Sequence, residues 1–117
     1  ESPGCQARER YRAGLRLALR QLMDSLRLDA VAYPTWSNPP RLIGDLNTPG
    51  GDNSQVFSPA TGFPAITVPM GYTRTVLPAG LQLLARPFAE GTLFKLAYSY
   101  EQGTRHRRPP PTVPPLR

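Results

Sequence analysis

An α/β domain follows from three observations. Two segments with helical spacing of apolar residues stand near the ends of the 117-residue chain. Two core runs of strand character lie between them, joined by a connection of turn length. The 15 prolines and 10 glycines concentrate in connections and in the tail, which marks a folded domain with irregular loops rather than a disordered chain.

The first helix is predicted over about Arg8–Leu28. Tyr11, Leu15, Ala18, Leu19, Leu22 and Leu26 fall in one sector of about 100°, the stripe that a helix turns to a core. Arg12, Arg16, Arg20 and Arg27 take the neighbouring sector, where like charges four apart cost a few tenths of a kcal/mol per pair. That stripe calls for solvent, acidic neighbours, a polyanion or protein outside this chain. A solvated flank is the plainest reading, because no interleaved aromatics and no zinc-finger or RNA-sheet motif accompany it.

Asp29–Thr35 reads as a short buried strand that Pro34 ends near a sheet edge, with its core over Ala30–Tyr33. Trp36 to Asn53 is loop, punctuated by Asn38-Pro39-Pro40, Gly44-Asp45 and Thr48-Pro49-Gly50-Gly51-Asp52. A connection of that length is functional or mobile. Gly50-Gly51 is no phosphate cradle, since no Gly-Lys-Ser/Thr follows and no helix opens there. Asn53 or Ser54 is expected to cap a short helix that runs through Phe57 and Ala60 and ends at Gly62.

Gly62-Phe63-Pro64 then leads into the two core runs. Ile66, Val68 and Met70 alternate with Thr67 and Pro69, which predicts a half-buried strand over Ala65–Gly71. Gly80–Ala85 is almost wholly apolar, as in a strand covered on both faces. The short Thr73–Leu77 connection makes these two adjacent and antiparallel. A last helix opens at Glu90 or Gly91, buries Leu93, Leu96, Ala97 and Tyr100, and ends at Gly103. The tail from Arg105 to Arg117 is too rich in proline for helix or central strand and is expected to be extended. Arg108, Pro111 and Pro114 match the spacing of an SH3-ligand sequence.

The net charge of +6 comes from 14 basic residues, all arginine but Lys95, against 8 acidic ones. Such a balance can attract polyanions, yet the patterning above gives no nucleic-acid motif and no partner of that kind is expected. No run approaches the roughly 20 apolar residues of a membrane span, so no membrane association is expected either. A single cysteine, Cys5, excludes an internal disulfide framework and leans towards the cytoplasm. With no initiator Met, the chain is expected to begin inside a longer one.

The order of elements, together with Asp29-Ala30-Val31, Tyr33-Pro34-Thr35, Gly62-Phe63-Pro64-Ala65-Ile66-Thr67-Val68-Pro69, Leu77-Pro78-Ala79-Gly80-Leu81-Gln82, Arg86-Pro87-Phe88 and Leu93 through Gln102, resembles the C-terminal part of the amidase signature family. The resemblance runs from about Tyr11 to Gln102 and leaves the tail out. It implies that residues 1–104 are the C-terminal portion of an α/β/α sandwich with a mixed sheet, and that 105–117 are an extended tail. It also implies hydrolysis of a small-molecule carboxamide through an acyl-enzyme, by two serines and a lysine that all lie upstream of the matched part. The N-terminal portion of the domain is then the implied partner. Ala85, where the family commonly has Gly, and Ala89, where it commonly has an acidic residue, leave the subfamily open.

The chain itself offers no catalytic constellation. A serine hydrolase needs an activated serine with a base in reach. Lys95 falls on the polar face of the last helix, with Ser99 four residues on, but a solvated helix face has no oxyanion donors. His106 sits among arginines, and Cys5 lacks a partner that would activate it. Asp45 and Asp52 without a well-placed histidine make a poor metal site, so neither metal nor cofactor is expected. The expectation is no catalytic residue here and an inactive isolated chain. Substrate contact is assigned to Trp36, Asn53 and Ser54, at the ends of the long loop, because function concentrates on loops held by a rigid scaffold. The plainer roles for the same residues are Trp36 covering core and Asn53 capping the short helix. A basic interaction module or a catalytically inactive scaffold is the rival function. Strands left with open edges favour aggregation or homo-oligomers.

Overall fold

The computed structural model describes residues 2–74, 76–110 and 113. Its elements run α1 (Pro3–Ser25), β1 (Ala30–Pro34), α2 (Ser58–Thr61), β2 (Ala65–Thr73), β3 (Leu77–Ala85) and α3 (Glu90–Thr104). The α/β class is as expected. The three strands form one antiparallel sheet in the order β1-β3-β2, so β3 is central and β1 and β2 are the edges among the described residues. Pro34 ends an edge strand and Pro69 sits within one, the positions a residue without an amide hydrogen can occupy.

β3 reads as continuously apolar because alternate residues serve opposite faces. Leu83 and Ala85, with Val68, pack on Leu93 and Ala97 of α3, and Ile66, Leu81 and Tyr100 border that cluster. Leu84 points the other way, into Leu19 and Met23 of α1 and Phe63, with Val31, Tyr33 and Phe57 around them. A helix therefore covers each face, a small three-layer arrangement. Met23, Phe63 and Leu84 are the largest fully buried side chains. Each contributes about 1.5–3 kcal/mol relative to exposure.

Several local expectations need correction. α1 begins at Pro3, because Ser2 caps it by accepting from the Cys5 amide at 3.4 Å and Pro3 suits the first turn. It ends at Ser25, and Arg27 beyond it has a φ of 52°. Its buried residues are Leu19 and Met23, whereas Tyr11, Leu22 and Leu26 of the predicted stripe are about half or more exposed. The contact with the sheet is made by one flank of the stripe and only by the C-terminal half of the helix.

α2 is a single turn that starts at Ser58, and no side chain caps it. Asn53 and Ser54 therefore do not cap this helix. Gly62 ends it as expected, at a φ of 72° that an L side chain adopts at a cost. β2 carries a bulge: Pro69 pairs with Gly80 and Gly71 with Ala79, which leaves Met70 as the extra residue. Met70 thus leaves the regular alternation with Ile66 and Val68.

α3 continues through Gly103 to Thr104, with Arg105 at a φ of 48° as its cap. Leu96 remains partly exposed. Arg105–Pro110 have no helix or strand. Arg108 places its guanidinium 5.0 Å from the Tyr72 ring centroid, and its amide donates to the Tyr72 hydroxyl at 3.1 Å. The Pro111 and Pro114 part of the tail expectation lies outside the described residues.

Candidate functional site

The long loop is closed at its base by a short extension of the sheet. The Thr35 amide donates to the Gly80 carbonyl at 2.8 Å and carries β1 one residue further. Trp36 and Asp52 then form an isolated antiparallel bridge, and the Ser37 amide donates to the Gly51 carbonyl at 2.7 Å. Glycine at 80 is required by this closeness. A Cβ there would meet Thr67 Cγ2 at 2.8 Å and Thr35 Oγ1 at 2.9 Å.

Asn53 is the peg of this neck. Its amide donates to the Thr35 carbonyl at 2.8 Å, and its Nδ2 donates to the Pro34 carbonyl at 3.0 Å and to Ser37 Oγ at 2.7 Å. Asp52 organises the next turn. Its carboxylate accepts from the Ser54 amide at 2.9 Å, from the Ser54 hydroxyl at 2.5 Å and from Gln55 Nε2 at 3.4 Å. The Ser54 hydroxyl and amide hold the Asp52 carboxyl below its ordinary range. Asp45 does the same at the far end of the loop, where it accepts from the Thr48 hydroxyl, from the Thr48 amide at 3.1 Å and from the Asn47 amide at 2.9 Å. These bonds lower its pKa too.

The three predicted contact residues are thus gathered at one neck, though they do different things. Asn53 and Ser54 are half-buried and hydrogen-bonded within the neck, and Trp36 is 52% exposed. Beside Trp36 lies an open groove of about 330 Å³, bounded by Pro34, Pro39, Pro40, Met70 and Pro78.

Gln82 is the polar residue that sequence reasoning passed over. It lies in the apolar run of β3, only 4% exposed, directly between Tyr33 of β1 and Thr67 of β2. Its Nε2 donates to the Ser54 carbonyl at 3.3 Å and fastens the loop neck to the central strand. Among the described residues its Oε1 has no partner, and neither has the buried hydroxyl of Tyr33. Burial pushes the Tyr33 phenol above its ordinary value. A lone amide inside an apolar strand was the available signal.

The groups considered for catalysis do not form one enclosed site. Lys95 and Ser99 are both exposed on α3. His106 lies 6.3 Å, ring to ring, from Tyr100, and Cys5 is near the start of α1. Among the described residues no cluster of three His, Cys, Asp or Glu side chains could hold a metal, and no helix is long and apolar enough to cross a membrane. Two of the arginines along α1 are locally matched: Arg12 lies 2.9 Å and Arg16 3.9 Å from the Glu9 carboxylate. Arg20 lies over the Phe63 ring at 5.9 Å.

Comparison with known proteins fits this framework. A family description, Amidase, matches residues 2–94. The A subunit of glutamyl-tRNA(Gln) amidotransferase from Moorella thermoacetica is 54% identical over 50 residues, which are 42% of this chain and 10% of that protein. The crystal structure of peptide amidase from Stenotrophomonas maltophilia superposes with a TM-score of 0.68 at 34% identity, over 86% of this chain and 21% of that one. The corresponding glutamyl-tRNA(Gln) amidotransferase protein from Thermotoga maritima gives 0.69 at 25% identity, over 86% of this chain and 22% of that one. The chain spans between about a tenth and a fifth of the length of the curated relatives it matches. Shared sequence over residues 2–94 and a shared arrangement of strands and helices lead to one conclusion: this chain belongs to the amidase signature family.

Proposed function

We propose that residues 1–104 are the C-terminal portion of an amidase that hydrolyses a small-molecule carboxamide through a serine acyl-enzyme. The catalytic serines and lysine are then supplied by the N-terminal portion of the domain, the principal partner of this chain. Residues 105–117 are a tail outside that domain. Membership in the amidase family is the observation that carries this reading. The solvent exposure of Lys95 and Ser99 supports placing the chemistry elsewhere, because binding without an activated nucleophile does not accelerate the chemical step.

In this reading the chain supplies scaffold and one wall of the pocket. β3 and Gln82 hold the loop neck, Asn53 and Ser54 fix its backbone, and Trp36 faces substrate. A cytoplasmic location accords with the single cysteine. The half-exposed Tyr11 and Leu22 of α1 and Leu26 just beyond it support packing against the rest of the domain or, in the isolated chain, self-association. A nucleic-acid module is disfavoured, since Glu9 and Phe63 already engage Arg12, Arg16 and Arg20.

The test is carboxamide hydrolysis by the 117-residue chain alone and by the chain joined to an N-terminal portion. Turnover is expected only in the joined protein. Turnover by the isolated chain, abolished by Lys95→Ala or Ser99→Ala, would overturn the reading.

A further inference from the structure

The groove beside Trp36 has the chemistry of a small binding site. Its apolar boundary is Trp36, Met70 and the rings of Pro34, Pro39 and Pro78, and among the described residues no ionisable side chain lines it. The polar groups at its rim are Ser37, Asn38 and Thr73. Asn38 is partly committed: its Nδ2 donates one hydrogen to the Gly50 carbonyl at 2.9 Å and keeps a second. Ser37 is half committed: its Oγ accepts from Asn53 Nδ2 at 2.7 Å, which leaves its own hydrogen to donate.

We infer that this groove binds an uncharged molecule with an aromatic or branched apolar body and a carbonyl oxygen, the body against Trp36 and Met70 and the carbonyl accepting from Ser37. A volume of about 330 Å³ is at the small end of ligand pockets. The neutral lining argues against charged occupants. A carboxylate or ammonium placed there would lose water and gain no counter-charge. Proline walls are rigid, so little side-chain freedom is lost on binding. Assigning the occupant as the apolar part of a carboxamide substrate rests on the amidase reading above, whereas the groove's preference for neutral molecules does not.

Trp36 is the single tryptophan of the chain, so its fluorescence reports this groove directly. The experiment titrates the full 117-residue chain with phenylacetamide, phenylacetate and glutamine, with folding checked by circular dichroism. Phenylacetamide is expected to give a saturable change with a dissociation constant on the order of 0.1–1 mM, as befits a ligand of about ten heavy atoms. Phenylacetate and glutamine are expected to bind at least about tenfold more weakly. Ser37→Ala is expected to weaken phenylacetamide about three- to tenfold, the worth of one neutral hydrogen bond. Met70→Glu should abolish the response, and Ser37→Ala keeps the test decisive should that variant fail to fold.

No saturable response to phenylacetamide, or equal binding of phenylacetate, would overturn the inference. Hydrolysis by the joined domain without any Trp36 response would remove this site and leave the amidase reading intact. A Trp36 response without hydrolysis would keep the site and remove that reading.

Discussion

The guanidinium of Arg86, one residue past the central strand, lies 2.6 Å from the Asp24 carboxylate near the end of α1. The same side chain donates to the Leu28 carbonyl at 3.3 Å. One cation thus ties the exit of the first helix, the turn that follows it and the end of β3. Both partners are partly exposed, so solvent screens the pair and it contributes about 0–1 kcal/mol by itself.

Arg86→Met should therefore cost about 0.5–1.5 kcal/mol in urea unfolding, and salt of about 1 M should shrink the difference. Asp24→Asn should cost less, since the bond to Leu28 survives. Equal losses from the two substitutions would show that the carbonyl contact contributes nothing.

Gly80→Ala should cost about 1–3 kcal/mol, because its Cβ would lie within 3 Å of both Thr67 Cγ2 and Thr35 Oγ1. Adding Thr67→Ser removes one of the two clashes and should restore part of the loss. A fully tolerated Gly80→Ala would contradict the close packing of the three strands at the loop neck.

Tyr33→Phe is expected to be neutral or to stabilise by up to about 1 kcal/mol, because it deletes a buried hydroxyl without a partner among the described residues. Burial raises the Tyr33 pKa above its ordinary value of 10.0. Its contribution to stability is accordingly whole below pH 10.0 and is lost as pH climbs through the raised value. The wild-type chain should lose stability there faster than Tyr33→Phe, which alkaline urea titrations would read.

The Asp52 carboxyl works in the opposite sense. Its pKa is lowered from 3.8 in the fold, so its contribution is present above that value and disappears as pH falls through the lowered one. Hydrogen exchange at the Ser54 amide should quicken as pH drops below about 3.8 relative to the intrinsic rate, and Asp52→Asn should show the faster exchange already at neutral pH. An Asp52→Asn variant with unchanged protection would remove Asp52 as the organiser of that turn.

Met23→Ala should cost about 2–5 kcal/mol and Leu22→Ser close to nothing, although the two residues are neighbours on the same helix. Met23 is fully buried and Leu22 is 48% exposed. Thermal or urea unfolding of both variants distinguishes them. The reverse order would restore the stripe centred on Leu22 as the packed face.

The sequence by itself determined the element order, the pairing of β2 with β3 and the helix at each end. These rest on local periodicity and on stops such as Gly62, which act within a few residues. The same local code carried the family, because the pieces from Asp29 to Gln102 sit at strands, at turns and along the last helix of the fold. The tertiary structure alone decided which part of an apolar stripe is covered. Leu19 and Met23 meet Leu84, whereas Tyr11 and Leu22 of the same helix stay about half or more exposed, since an apolar stripe gives a helix a direction and not a partner. It also decided that Asn53 is a peg for Pro34 and Ser37 and not a helix cap, and that Gln82 holds Ser54. Those hydrogen bonds join residues 16–28 positions apart, a separation that no local pattern records. Periodicity is a property of neighbours in the chain, and the loop neck is made by residues that become neighbours only when the sheet closes.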